Sequence, residues 1–454
     1  MSITPFDSAL FGPLLSDAEL AELLDDRAQL RAMLAFEAAL ARAEGSVGVI
    51  PEAAAGRIAA VADRLEVDPA ALAEGTAEDG IPVPALVAAL RQAVAKENEG
   101  GDAASFVHWG ATTQDVMDTG LVLRLRQVLN ILETRLDALG DALAALAEAE
   151  RATVMLARTR GQQATPTSFG LKVAGWLAPL QRHLDRLAEV EARLGVLSFG
   201  GAAGNLSALG ENGLAVEAAL AEALDLPAPA MPWHSQRDGL IEFGNWLGLV
   251  AGSLGKLAGD VLLLCQNEVG ELREGGGGGG SSTLPQKANP VRAEAVVSLT
   301  RFATGLVGQL QAAAFHQHER DGVAWQIEWL VLPQMIVATG AALGHALALI
   351  ESLEVDRARM RANIEATRGL ALAEAASFAL SAHLPRPQAQ ALVKEACKEV
   401  LSNGGHLIDL LAERTDVAVD WTALRDPAGQ LGAAEAFIER VLVARRRAAP
   451  QPPR

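Results

Sequence analysis

Tyrosine is absent from this 454-residue chain, and all aromatic residues together make up 4% of it. β-Branched residues are thin over long stretches, while alanine and leucine dominate. A chain so poor in strand-forming side chains is expected to be all-α. Cysteine is scarce too. Cys265 and Cys397 stand far apart with no metal-type or CxxC spacing, which points to a reduced, cytoplasmic protein without a structural metal. Basic charge is in deficit: 38 Lys and Arg against 56 Asp and Glu give a formal net charge of −18. That balance argues against nucleic acid or an anionic membrane as the main partner. It leaves room for an anionic small molecule in a local cationic pocket. The N-terminal MSITPFDSALFGPLLSD has no basic stretch before an apolar core, so it does not read as a signal peptide. Residues 330–350 are almost wholly apolar and long enough to span a bilayer. Pro333, Gln334 and His345 within them favour a helix buried in a bundle.

What the chain has in abundance is glycine in one place. Residues 275–290 read GGGGGGSSTLPQKANP. Glycine loses the most backbone entropy on ordering, so such a run is a linker or a mobile lid. The PQKANP exit favours the lid. Asn289-Pro290 resembles an N-cap and first helical residue, which would set Ser281, Ser282, Lys287 and Asn289 beside an anion-attracting helix N-terminus.

Other segments frame that loop. Ser16 and Glu19 have capping-box spacing for a helix running to about Ala43. Thr112 and Asp115, in FVHWGATTQDVMDTG (106–120), have the same spacing ahead of a long helix. Leu125, Leu129, Leu132, Leu136, Leu139, Leu143 and Leu146 form a coiled-coil-like seam along it. Further long helical patterns cover about 165–195, 237–272, 290–318 and 323–350, with shorter helices from Asp356 to about Arg447; no strand-forming alternation stands out. This predicts an N-terminal helical domain (1–107), a central long-helix bundle that oligomerises (108–351) and a C-terminal helical domain (352–454). ARTRGQQATP (157–166) sets Arg158 and Arg160 near a turn, where arginine forks suit carboxylates, although a solvated charge cluster is the commoner meaning of such a pair. WHSQRD (233–238) and HQHERDGVAWQIEW (316–329) mix His, Arg, acid and Trp. On spacing alone they suit a helix surface or subunit contact, and His316 and His318 would not share a helical face to hold a metal.

Together these segments resemble the fumarase/aspartase superfamily. GSSTLPQKAN (280–289) is similar to its signature loop, with Leu284 where methionine is usual; HWGATTQD and ARTRGQQATPTSFGLKVAGW (157–176) are similar to its other two signature regions. The resemblance covers most of the chain. It implies a central bundle of very long helices flanked by two smaller helical domains, and a homotetramer with each active site built from three subunits. Within the superfamily the pattern is less like adenylosuccinate lyase. Arg160 stands where that enzyme has a histidine acid, and Trp325 and Trp329 stand where it holds a phosphate. FGGAAGNLSALG (199–210), PWHSQRD and HERDGVAWQIEW are similar instead to the cycloisomerase branch. That implies a small tricarboxylate substrate, with one carboxylate adding across a double bond within the molecule. The implied catalytic residues are Ser281 or Ser282 for proton delivery to carbon, with Lys287 and Asn289 stabilising the charge that builds up. Thr112, Thr113, Arg158, Arg160, Gln162, Arg237 and Arg320 are the implied substrate-binding residues, with no cofactor and no metal. A carboxylate is a weak base, so it needs no histidine acid to leave or attack. A C–N lyase acting on a succinyl-amine is the other enzymatic reading; a catalytically silent helical scaffold is the non-enzymatic one, and intact Ser281, Lys287 and Asn289 oppose it.

Overall fold

The computed structural model describes residues 4–97, 101–276, 279–280 and 283–448. Most of the chain is helical, as its composition dictates. An early helix, α1 (Asp26–Val47), precedes five long ones: α2 (Thr113–Ala149), α3 (Phe169–Leu194), α4 (Asp238–Leu264), α5 (Val291–Ala312) and α6 (Gly322–Glu351). Shorter helices follow to Ala448. Two compact units divide the chain. One holds residues 1–134, 184–252 and 299–342, the other 135–183, 253–298 and 343–454. Every boundary between them falls inside one of the five long helices.

In the first unit, α1 begins where the Asp25 side chain accepts from the Ala28 N–H. It ends at Gly48, whose φ of 82° lets its N–H reach back to the last carbonyls. The helix expected from Ser16 to Ala43 is therefore two helices. Asp17, not Ser16, caps the first (Ala18–Leu24), and Asp25 ends it because a second capping side chain restarts the chain there. The core is built on Met33, Phe36 and Leu40 of α1 with Ile58, Leu90 and Phe199. The leucine seam of α2 is buried from Leu125 through Leu143.

The second unit carries two small antiparallel ribbons that the sequence reading did not anticipate. One pairs β1 (Val154–Thr159) with β2 (Gln162–Ser168); the other pairs β3 (Leu272–Glu274) with β4 (Leu353–Val355). The first is a two-residue hairpin whose turn, Arg160-Gly161, has φ of 51° and 78°, the both-positive pattern such hairpins require. Its strands escaped notice because Pro166 lies inside one and the register shifts between Leu156 and Arg158. The hairpin's tip, residues 159–163, is exposed and packs against no core, so no alternation marks it. A smaller core of Leu380, Val400, Leu407 and Leu411 supports the C-terminal helices.

Among the described residues two helices, α4 and α6, are long and apolar enough to cross a membrane by length and composition. In α6, 67% of the apolar window is buried within the protein.

Candidate active site

Each unit, taken by itself, holds some of the side chains singled out in the sequence. In the first, the segment 108–118 leads into α2. Asp115 is wholly buried and acts as its hub. Its carboxylate accepts from the Thr112 N–H (2.9 Å), from the Gly200 and Gly201 N–H groups (2.8 and 3.0 Å), and meets His234 Nε2 at 2.7 Å. The Thr112–Asp115 spacing thus forms half a capping box, while the rest of the carboxylate fastens the 198–201 turn. Thr119 Oγ1 fastens the same turn through the Ser198 backbone. Thr112 and Thr113 are half-buried at the helix start.

One turn further along α2, Asp118 begins a second buried network. It receives Arg237 Nη1 at 2.6 Å and Nη2 at 3.1 Å, and Gln114 Nε2 at 3.0 Å. Arg237 also donates to Glu328 through Nε (2.7 Å) and Nη2 (2.6 Å), and stacks over Trp233 at 4.7 Å. Burial alone would lower its pKa, but Asp118 and Glu328 outweigh that and keep the guanidinium charged. Arg237, expected to bind substrate, is instead fully buried and committed to two carboxylates. WHSQRD and the 316–329 segment are likewise core rather than surface at Arg237 and Glu328.

Arg320 differs. Its partners are neutral: Gln114 Oε1 at 3.0 Å and the Ala202 carbonyl at 3.4 Å. It is oriented yet keeps its charge available. Trp325 and Trp329 meet edge to face at 5.0 Å, with Trp325 Nε1 donating to Asp118 at 3.3 Å.

In the second unit, the β1–β2 hairpin sorts the two expected arginines. Arg158 is held by Glu271, with Nη1 to Oε2 at 2.9 Å and Nη2 to Oε1 at 2.7 Å, and Asn363 Nδ2 donates to Glu271 Oε1 at 2.8 Å. Its fork is filled by the protein's own carboxylate, which a pair of residues near a turn could not reveal. Arg160 and Gln162, at the tip, are exposed. Lys172, just after the hairpin, faces Asp260 at 3.7 Å; burial lowers its pKa and Asp260 opposes the shift.

The glycine-rich loop leaves β3 and returns to α5. Ser281 and Ser282, the expected proton donors, lie outside the described residues. The loop's neck is closed by the Asn289 N–H donating to the Gly279 carbonyl at 2.9 Å and by a bridge between Gly280 and Ala288. Gly279 has a φ of 78°, and a Cβ there would lie 2.2 Å from the Asn289 carbonyl oxygen, so only glycine fits. Lys287 is exposed and Asn289 half-buried. The helix N-terminus expected to attract a substrate anion is already satisfied. The Glu274 carboxylate accepts from the Arg292 N–H at 3.0 Å and the Ala293 N–H at 3.3 Å. Glu274, missed in the sequence, sits at the loop's opposite end from the helix it caps; no local spacing flags it.

Residues 16–305 match the protein family described as Lyase, and residues 369–441 the one described as adenylosuccinate lyase C-terminus. The chain belongs to the fumarase/aspartase lyase family. Within this family it is 45% identical over 440 residues to 3-carboxy-cis,cis-muconate cycloisomerase of Pseudomonas aeruginosa, with 95% of each chain covered. It is 43% identical over 442 residues to the cycloisomerase of the same name from Bradyrhizobium diazoefficiens, covering 96% of this chain and 98% of that one. The solved structure of 3-carboxy-cis,cis-muconate lactonizing enzyme from Pseudomonas putida matches with a TM-score of 0.91 at 41% identity, over 97% of this chain and 99% of that chain. Like these family members, the chain is an enzyme.

Proposed function

We propose that this enzyme is a 3-carboxy-cis,cis-muconate cycloisomerase, closing a tricarboxylate diene to 4-carboxymuconolactone in protocatechuate breakdown. The observation that carries the reading is Arg160 at the exposed hairpin tip, a position where a C–N lyase of the family would present a histidine acid. In the cycloisomerisation one carboxylate oxygen bonds to a carbon of the double bond. The electron pair of that bond moves toward a neighbouring carboxylate, giving an enediolate-like intermediate, and a proton then reaches the adjacent carbon. No atom leaves. The group that adds, or departs in reverse, is a weakly basic carboxylate, so a permanent cation serves better than a titrating acid.

In this reading Lys287 and Asn289 stabilise the enediolate, and Ser281 delivers the proton, with Ser282 as its neighbour. Arg160, Gln162 and Arg320 hold the remaining carboxylates, and Thr112 and Thr113 donate hydrogen bonds to them. Arg158 and Arg237 act one step back, as fixed struts under the hairpin and under α2. The segments come from different subunits of a homotetramer, as the family resemblance implies. Exposed Leu249 and Leu263 on α4, Phe302 on α5 and Leu330 on α6 support association through the long helices. The tripartite division at 107/108 and 351/352, a cytoplasmic location, and catalysis without cofactor or metal complete the proposal.

The test is a product analysis. The enzyme is incubated in deuterium oxide with 3-carboxy-cis,cis-muconate and, separately, with an N-succinyl amine, and products are read by nuclear magnetic resonance. The reading expects a lactone carrying one carbon-bound deuterium from the first, and no fumarate from the second. Fumarate release without lactone formation would establish the lyase instead.

A further inference from the structure

Two acidic side chains of α1 are buried in the first unit, one of them against the segment that opens α2, and the mechanism above uses neither. Glu37 and Glu44 are seven residues apart on α1, two turns along one face. They are 1% and 0% exposed. Among the described residues, neither oxygen of Glu44 has a hydrogen-bond partner, nor has Glu37 Oε2. Isolated carboxylates are costly in such a place, and proteins retain them where they hold another group. The group here is His108. Its Nδ1 lies 2.6 Å from Glu37 Oε1, and its backbone has a φ of 60°, an uncommon conformation for a non-glycine residue.

The charges that bear on this cluster are few. His108 is faced by Glu37 from α1, Asp115 from α2 and Arg91 from the helix Val83–Glu97; Glu44 is faced by Glu37. Burial alone would lower the His108 pKa. The charge and hydrogen bond of Glu37 outweigh it, Asp115 adds to them, and the imidazole is pushed toward its cationic form. Burial, with Glu37 second, pushes Glu44 up to about 9, so it is neutral at physiological pH.

We propose that Glu37 is a positioning residue that holds His108 as a cation beside the 108–115 segment, with Glu44 kept behind it as a neutral acid. The buried pair then carries one negative charge against one imidazolium. The bond uses Nδ1, which leaves Nε2 to face a carboxylate of the substrate. This last step rests on the reaction proposed above, whereas the charge state of His108 does not.

The test reads His108 directly, by histidine hydrogen–deuterium exchange and mass spectrometry across pH on the intact enzyme, alongside turnover of the tricarboxylate. In the wild-type protein the exchange midpoint of His108 is expected above the ordinary 6.5. Glu37→Gln, which removes the charge that raises it, should bring it down. Glu44→Gln, which swaps one neutral group for another, should leave it raised. Glu37→Asp, which keeps the charge with shorter reach, should give an intermediate midpoint and guards against misfolding of the first variant. Glu37→Gln should also lower kcat/KM about tenfold, mostly through KM, with partial rescue by Glu37→Asp. An unchanged midpoint in both Glu37 variants overturns the proposal. A shifted midpoint in a protein with no tricarboxylate turnover would uphold the Glu37–His108 pairing and overturn its link to that substrate.

Discussion

Arginine illustrates how one residue type serves two purposes here. Arg158 and Arg237 are matched by carboxylates of the protein, while Arg160 and Arg320 have none among the described residues. Their substitution should separate cleanly. Arg237→Gln leaves Asp118 and Glu328 buried without their counter-charge, and should destabilise the fold by about 3–5 kcal/mol. Arg160→Ala should leave thermal unfolding almost unchanged but lower kcat/KM by about ten- to a hundredfold, the loss of charged hydrogen bonds to substrate. Melting curves and steady-state kinetics on both variants check this. Glu44 makes a prediction in pH. Its pKa rises from 4.5 in the unfolded chain to about 9 in the folded one, so the folded state holds the extra proton between those values. The stability Glu44 contributes is full below 4.5 and is lost as pH rises toward 9. Glu44→Gln has no proton to lose, so its melting temperature relative to wild type should climb from pH 5 to pH 9. Parallel curves would contradict the assignment. None of these pairings is visible in sequence, because Arg237, Asp118 and Glu328 lie up to 210 positions apart in the chain.

At the scale of elements, the long helices were legible and the connections less so. The heptad seam and the apolar runs locate α2 through α6 to within several residues at most ends, because a period of 3.6 sustained over about six or more turns has few competing explanations. The hairpin was not legible. Its signal is a pair of positive φ angles at Arg160-Gly161, and arginine is not a residue that advertises them. The glycine run itself stands out in the sequence, whereas the contacts that close its neck, between residues ten and eight positions apart, do not. Gly279→Ala adds a methyl that meets the Asn289 carbonyl and strains a positive φ. Because Lys287 and Asn289 lie within that loop, the variant should lose about a hundredfold in kcat, the scale expected when reacting groups shift by about 1 Å. Its melting temperature should stay near that of wild type, since the loop packs little core. A loss of stability with kcat intact would place the strain elsewhere.

At the scale of the molecule, an acidic protein is proposed to gather a triply negative substrate. The formal charge of −18 makes local arginine and lysine placement, rather than the overall field, responsible for binding. The shared-site arrangement can be tested by mixing. Arg160→Ala homotetramers should keep about a tenth or less of wild-type kcat/KM, and Ser281→Ala homotetramers almost none. If the hairpin and the glycine-rich loop of one site come from different subunits, hybrids formed by reversible dissociation should regain about a quarter of wild-type activity. Mixtures that stay inactive would put both residues of each site on one chain.

The most direct measurement is ultraviolet absorbance of the purified enzyme with 3-carboxy-cis,cis-muconate, following the conjugated diene. The cycloisomerase account predicts rapid, complete loss of the diene band, with one lactone formed per substrate consumed. A band that persists at high enzyme concentration, with the protein folded and oligomeric, would contradict it.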